Sequence, residues 1–272
     1  MHLEQSDTRR SARMAEWAPI FSVILCLSAS LINLSSAHAI DLYEIQVYTV
    51  ETTEHKKWDL ELHSNGVVNA VGRLAKDELR PHEIHETIEA TYGLFPHVEI
   101  GQYFAMAKFV GGSFGYAGSR TKLHFGIGDP DAWPIAFGGN FEIAYMRQQA
   151  DPNSLSLELR PILQKNFGKL SLVADFAFEK AMRGPGSHEG FGLLPSVMIS
   201  YELFPWMTPA LEYYGDIGPI RNPLPTKLQQ HFVVPAINLN LLPQLEFNFG
   251  VGIGTTQASR GTFIKSIIGW TF

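Results

Sequence analysis

The chain has 272 residues, 21 Lys and Arg against 27 Asp and Glu, and a formal net charge of −6. That balance leaves no electrostatic footprint for nucleic acid, so none is expected as a partner. A hydrophobic content of 45% is too low for a bundle of membrane helices, and a single cysteine excludes a disulfide-stapled scaffold.

In chain order, the first element is a leader. Arg9, Arg10 and Arg13 precede an apolar run from Trp17 to Leu34, and SSAHA (35–39) puts Ala37 and Ala39 at the small-residue positions of a cleavage site. Basic region, apolar core and small-residue exit predict a secretory signal peptide over 1–39, cut after Ala39. Cys26 falls inside it, with bulky Leu25 ahead of it where a lipoprotein signal needs a small residue. Residues 40–56 follow, and their sequence fits an extra strand, an N-terminal arm or a plug equally well.

From residue 57 to 272 the dominant pattern is alternation with period two, the signature of strands. Leu245, Phe247, Phe249, Val251 and Ile253 interleave with Glu246, Asn248 and glycines; Leu170, Leu172, Ala174 and Phe176 interleave with Ser171, Val173 and Asp175. Breaks rich in Pro, Gly, Asn and Asp divide the chain into twelve expected strands. They run over 57–68, 82–93, 97–109, 119–128, 135–147, 154–164, 169–180, 190–203, 207–215, 228–240, 244–254 and 261–272.

The connections alternate between short ones, such as GLFPH (93–97) and LLPQ (241–244), and long ones, such as AMRGPGSHEG (181–190) and DIGPIRNPLPTK (216–227). An even strand count, strands of this length and alternating turns predict an all-β fold: a transmembrane antiparallel up-and-down β-barrel of about twelve strands in the bacterial outer membrane. Trp58, Tyr92, Tyr103, Trp133, Tyr145, Tyr201, Trp206, Tyr213 and Trp270 mostly lie near strand ends, where aromatic girdles belong. A soluble sandwich or lipocalin-like barrel would show the same alternation turned inside out; the leader and the aromatic last strand favour lipid. Two features are discordant. Pro161, Pro195, Pro209 and Pro235 fall in or near strands, which calls for bulges or shorter strands. Glu86 shares a face with Ile84 and Ile88, which directs a carboxylate toward lipid.

With apolar faces outward, the polar faces line the lumen. The expected lining is Asp59, Glu61, His63, Glu89, Glu99, Lys122, His124, Glu142, Glu158, Arg160, Asp175, Glu179, Glu202, Glu212, Glu246 and Lys265. With only Lys122, Arg160 and Lys265 as permanent cations, most of these carboxylates call for water, which predicts a partly hydrated lumen favouring cations. The competing reading is a closed network that braces a filled barrel. No catalytic residue, cofactor or metal site is expected. His63 and Ser64 are adjacent on one strand and point to opposite faces, which argues against a lipid-modifying hydrolase. His82, His85, His97 and His188 read as rim or loop histidines.

The segments WDLELHSN (58–65), HETIEATYGLFPHVEIGQYF (85–104), GFGLLPSVMISYELF (190–204), ALEYYGDIGPI (210–220) and QLEFNFGVGIG (244–254) resemble a family of outer-membrane proteins linked to the MetA pathway of phenol degradation. The resemblance implies a barrel of about twelve strands that moves small hydrophobic or aromatic solutes, and it transfers no site. A last strand ending on Phe272 also resembles the signal read by the barrel assembly machinery, which makes that machinery, membrane lipid and a small-molecule solute the expected partners.

Overall fold

A computed structural model describes residues 40–70, 82–108 and 112–272. The predicted signal peptide lies outside the described residues. No described helix is long and apolar enough to cross a membrane. Twelve long strands are present: β1 (Trp58–Ala70), β2 (Ile84–Phe95), β3 (Val98–Lys108), β4 (Phe114–Ile127), β5 (Ala136–Met146), β6 (Leu155–Phe167), β7 (Leu170–Arg183), β8 (Gly192–Tyr201), β9 (Met207–Asp216), β10 (Gln230–Leu242), β11 (Leu245–Gly254) and β12 (Gly261–Thr271). Each pairs antiparallel with its sequence neighbours. β1 and β12 close the ring, and the last residue takes part: Trp58 and Phe272 exchange backbone hydrogen bonds of 2.9 and 2.8 Å. Among the described residues every long strand has a neighbour on both sides, the condition for backbone in a hydrocarbon solvent.

Side-chain orientation follows the pleat. Along β2, Ile84 and Ile88 are exposed on the outer wall while His85, Thr87, Glu89 and Thr91 are buried inside. Leu60, Leu62, Phe104, Leu123, Ile143, Ile199, Leu211 and Ile268 extend the same exposed apolar belt around the barrel. So large a continuous apolar exterior has no place in water and fits lipid. Trp58, Tyr92, Trp133, Tyr201, Trp206 and Trp270 ring the belt at the short-turn end, and Tyr116 and Tyr145 stand toward the other, whereas Tyr103, expected in a girdle, is fully buried inside because its position on β3 has inward parity.

The predicted boundaries hold to within a few residues, except that β4 begins at Phe114 rather than 119. Residues 114–118, outside the expected strand, are strand as well. They carry a register break where Ala105 and Met106 face Gly118 and Tyr116, so Ala117 bulges. The prolines were expected to call for bulges or shorter strands, yet all four lie within strands and none at a bulge. Pro195, Pro209 and Pro235 each keep register with a neighbouring strand, and Pro161 pairs with Gly139. The cost shows as opened ladder: the β6–β7 pairs are interrupted between Leu159 and Ile162, and the β10–β11 pairs between Val233 and Ala236. Glu86 does face outward. It accepts a hydrogen bond from Ser64 directly across on β1, on the same transverse row as Tyr116. That row leads to the aromatic girdle, where a carboxylate costs little.

Candidate functional site

The lumen is occupied by residues 41–53, which thread it from the long-loop end to the short-turn end. Ile40 meets Gln230 at the start of β10, and the segment leaves through a bridge between His55 and Gly93 near the β2–β3 turn. Of the three options open in the sequence, the plug is the one realised. Leu42, Ile45, Val47, Tyr48 and Val50 pack against inward-facing Val67, Ile162, Val173, Phe232, Val234 and Phe263.

A buried single segment has no ladder partner, yet its amides and carbonyls need one. Wall side chains supply them. The Tyr48 N–H donates to Asp175 Oδ2 (2.9 Å), the Val50 N–H to Gln164 Oε1 (3.0 Å) and the Thr53 N–H to Glu99 Oε2 (2.6 Å). In the other sense, Asn65 Nδ2 donates to the Leu42 carbonyl (2.8 Å), Lys265 Nζ to the Ile45 carbonyl (3.1 Å) and His124 Nε2 to the Glu51 carbonyl (3.2 Å). Glycine makes room where the segment presses on the wall: a β-carbon at Gly126 would sit 1.9 Å from the Val50 carbonyl oxygen, and one at Gly93 2.1 Å from that of Glu54.

Charge holds the plug as well. Arg120 is ion-paired with Asp41 and lies 3.4 Å from both Glu44 on the plug and Glu142 on β5. Two cations stand over the Tyr48 ring, Lys122 Nζ and the Arg160 guanidinium carbon, each 5.0 Å from its centroid. Its hydroxyl contacts Glu44 and Tyr103.

The predicted lining residues divide into three groups. Most form buried pairs: Lys122 with Glu89 (2.6 Å) and Glu99 (3.3 Å), Arg160 with Glu158 (2.7 Å) and Asp175 (3.0 Å), Lys265 with Glu212 (2.6 Å), and His63 with Glu61 (2.9 Å) and Glu89 (3.4 Å). His124 and Glu142 belong to this group through the plug contacts above. Here the lumen is a packed ionic network rather than the hydrated surface the composition predicted. A second group is open to water at the short-turn end. Asp59 accepts a hydrogen bond from Thr271 (2.8 Å), Glu61 is partly accessible, and Glu246 is exposed. Gly269 separates the last two, and a β-carbon there would touch both.

The remaining two lie apart from this arrangement. Glu179 is half-buried toward the long-loop end. Glu202 does not line the lumen: it sits outside β8 on the turn into β9, with its side chain 51% exposed and 3.8 Å from Lys169. The strand ends at Tyr201, one residue short of it.

Several residues escaped the sequence reading. Arg120 is a fourth lumen cation; it lies inside the expected strand 119–128, and its parity with Lys122 and His124 already marked it as inward. His85 is no rim histidine. It is buried edge-on against the Tyr43 ring at 4.6 Å between centroids. Phe232, Val234 and Phe263 are apolar yet face inward; Phe263 shares the parity of Lys265, but only the plug they contact accounts for apolar side chains on the inner face.

No protein-family model matches the chain, and no curated protein matches it. Among solved structures it is similar to KdgM porin in complex with disordered oligogalacturonate, at 10% identity and a TM-score of 0.52, covering 79% of this chain and 99% of that one. It is also similar to OprD of Pseudomonas aeruginosa (8% identity, TM-score 0.39, 79% and 66% covered) and to the outer-membrane channel DcaP of Acinetobacter baumannii (6%, 0.34, 80% and 96%). The chain is an outer-membrane-type β-barrel. At such identities the likeness is one of architecture, and no residue role passes with it.

Proposed function

We propose that this barrel is a passive channel of the bacterial outer membrane whose resting lumen is closed by residues 41–53. The observation that carries this reading is the form of the closure. It is one extended segment, continuous with β1 and held by side-chain hydrogen bonds, ion pairs and apolar packing, not a folded domain. Such contacts can be exchanged for water and solute, whereas strand ladders cannot. Short turns then face the periplasm, and the accessible carboxylates Asp59, Glu61 and Glu246 form an acidic mouth there. Without the plug the inner wall carries more carboxylates than cations, so the open state favours cations. An acidic chain of the kind bound in the KdgM complex would be repelled. Small apolar or aromatic solutes are the reading for cargo. Support comes from the resemblance to the phenol-degradation family and from the inward Phe232–Phe263 pair, whose ring centroids lie 5.3 Å apart beside the plug. Assembly through the terminal strand belongs to the same proposal: Phe272 is 65% exposed on the outer wall.

Planar-bilayer recording of the refolded chain, intact and with residues 41–53 deleted, tests the proposal. The intact protein should conduct rarely and the deletion steadily, with a preference for cations. A deletion variant that folds, as shown by its heat-modifiable gel mobility, yet stays silent would make the barrel a structural one.

A further inference from the structure

Three ligand-bearing side chains meet in the lower lumen, brought together by register. Glu61 and Glu89 are directly opposite each other on β1 and β2, and His63 stands two residues above Glu61 on the same face. Their nearest ligand atoms all lie within 4.8 Å of one another. His63 Nε2 is 2.9 Å from Glu61 Oε2 and 3.4 Å from Glu89 Oε2. In a tetrahedral site with bonds near 2.1 Å, neighbouring donor atoms stand about 3.4 Å apart.

The surroundings select one oxygen. Glu89 Oε1 accepts from Thr91 Oγ1 at 2.7 Å and lies 2.6 Å from Lys122 Nζ. Oε2 of the same carboxylate is fully buried, and its nearest partner is His63 Nε2 at 3.4 Å, outside hydrogen-bond geometry. One oxygen is thus anchored by neighbours while the other is only loosely engaged, facing His63 and Glu61. That is how outer contacts orient a metal-binding carboxylate. A buried carboxylate oxygen without a donor is costly, and a cation is one way to satisfy it. Entry is available: the Glu61 side chain keeps 17% of its surface exposed, with Asp59 two residues below it on the same face.

We infer that Glu61, His63 and Glu89 form a binding site for one divalent cation of the zinc class. One nitrogen and two carboxylate oxygens would bind it, and water would complete the shell. Such a donor set suits borderline cations better than calcium or magnesium, which prefer oxygen alone. The site is independent of whether the barrel conducts.

The test uses tag-free protein refolded in detergent and stripped with chelator. Titration with Co²⁺ should give one equivalent bound, with the intense visible absorption of low-coordinate cobalt, and Zn²⁺ should displace it. Thr91→Val should weaken binding by roughly 10- to 100-fold, as for other outer contacts to a metal ligand. His63→Asn and Glu61→Gln should abolish the absorption. If the buried His63 variant fails to fold, the partly exposed Glu61→Gln carries the test, with fold read from gel mobility. The alternative occupant is a proton, with an imidazolium at His63 bridging the two carboxylates. Folded wild-type protein that binds no more Co²⁺ or Zn²⁺ than Glu61→Gln would establish that alternative and overturn the site.

Discussion

Asp175 serves two partners at once. Its Oδ2 accepts the Tyr48 N–H of the plug at 2.9 Å, while its Oδ1 lies 3.0 Å from Arg160 on the neighbouring strand. Barrel wall and plug therefore share one carboxylate, fully buried in the lumen.

Replacing Asp175 separates these roles. Asp175→Asn keeps an acceptor for the amide, whereas Asp175→Ala leaves a buried N–H unsatisfied, at a cost of about 1–3 kcal/mol. Hydrogen exchange at Tyr48 should be faster in the alanine variant than in the asparagine one. Equal rates would show that the plug is not held through this contact.

Gly126 tests the fit of plug to wall. Gly126→Ala drives a methyl into the Val50 carbonyl and should weaken the seating of the plug by about 1–3 kcal/mol, as overpacking does. Gly66, with open space around it, is the control. Protease nicking within residues 45–53 should rise for Gly126→Ala and stay at the wild-type level for Gly66→Ala.

The acidic mouth should govern selectivity. In the background lacking residues 41–53, the double variant Glu61→Gln, Glu246→Gln should lower the cation-to-anion permeability ratio measured under a salt gradient. An unchanged ratio would place the ion path elsewhere.

Orientation in lipid has a direct measure. Leu62 lies on the outer wall, flanked by Ile88 and Ile268 in the same row. Leu62→Arg should cost about 2–4 kcal/mol of folding free energy in lipid vesicles if this row sits near the midplane. The same substitution at Phe272, beside the girdle, should cost much less.

Much of the architecture was legible from residue order. Strand positions, their number and the outward set follow from period-two alternation, which any half-buried strand must show. The pairing of β1 with β12 was implied by the closed barrel that lipid requires. The proline positions were legible too, but not their consequence, because whether a missing N–H yields a bulge or a gap depends on what the neighbouring strands can absorb.

What the sequence by itself determined is the closed, lipid-facing wall: alternation and turn length are local properties, and closure follows from the need to pair every backbone group. What only the tertiary structure decided is the content of the lumen. Asp175, Gln164, Glu99, Asn65, Lys265 and His124 are scattered over six strands, and nothing local marks them as partners of residues 42–53. Their roles arise from strand register, which brings distant polar groups around one extended segment whose backbone has no other partner.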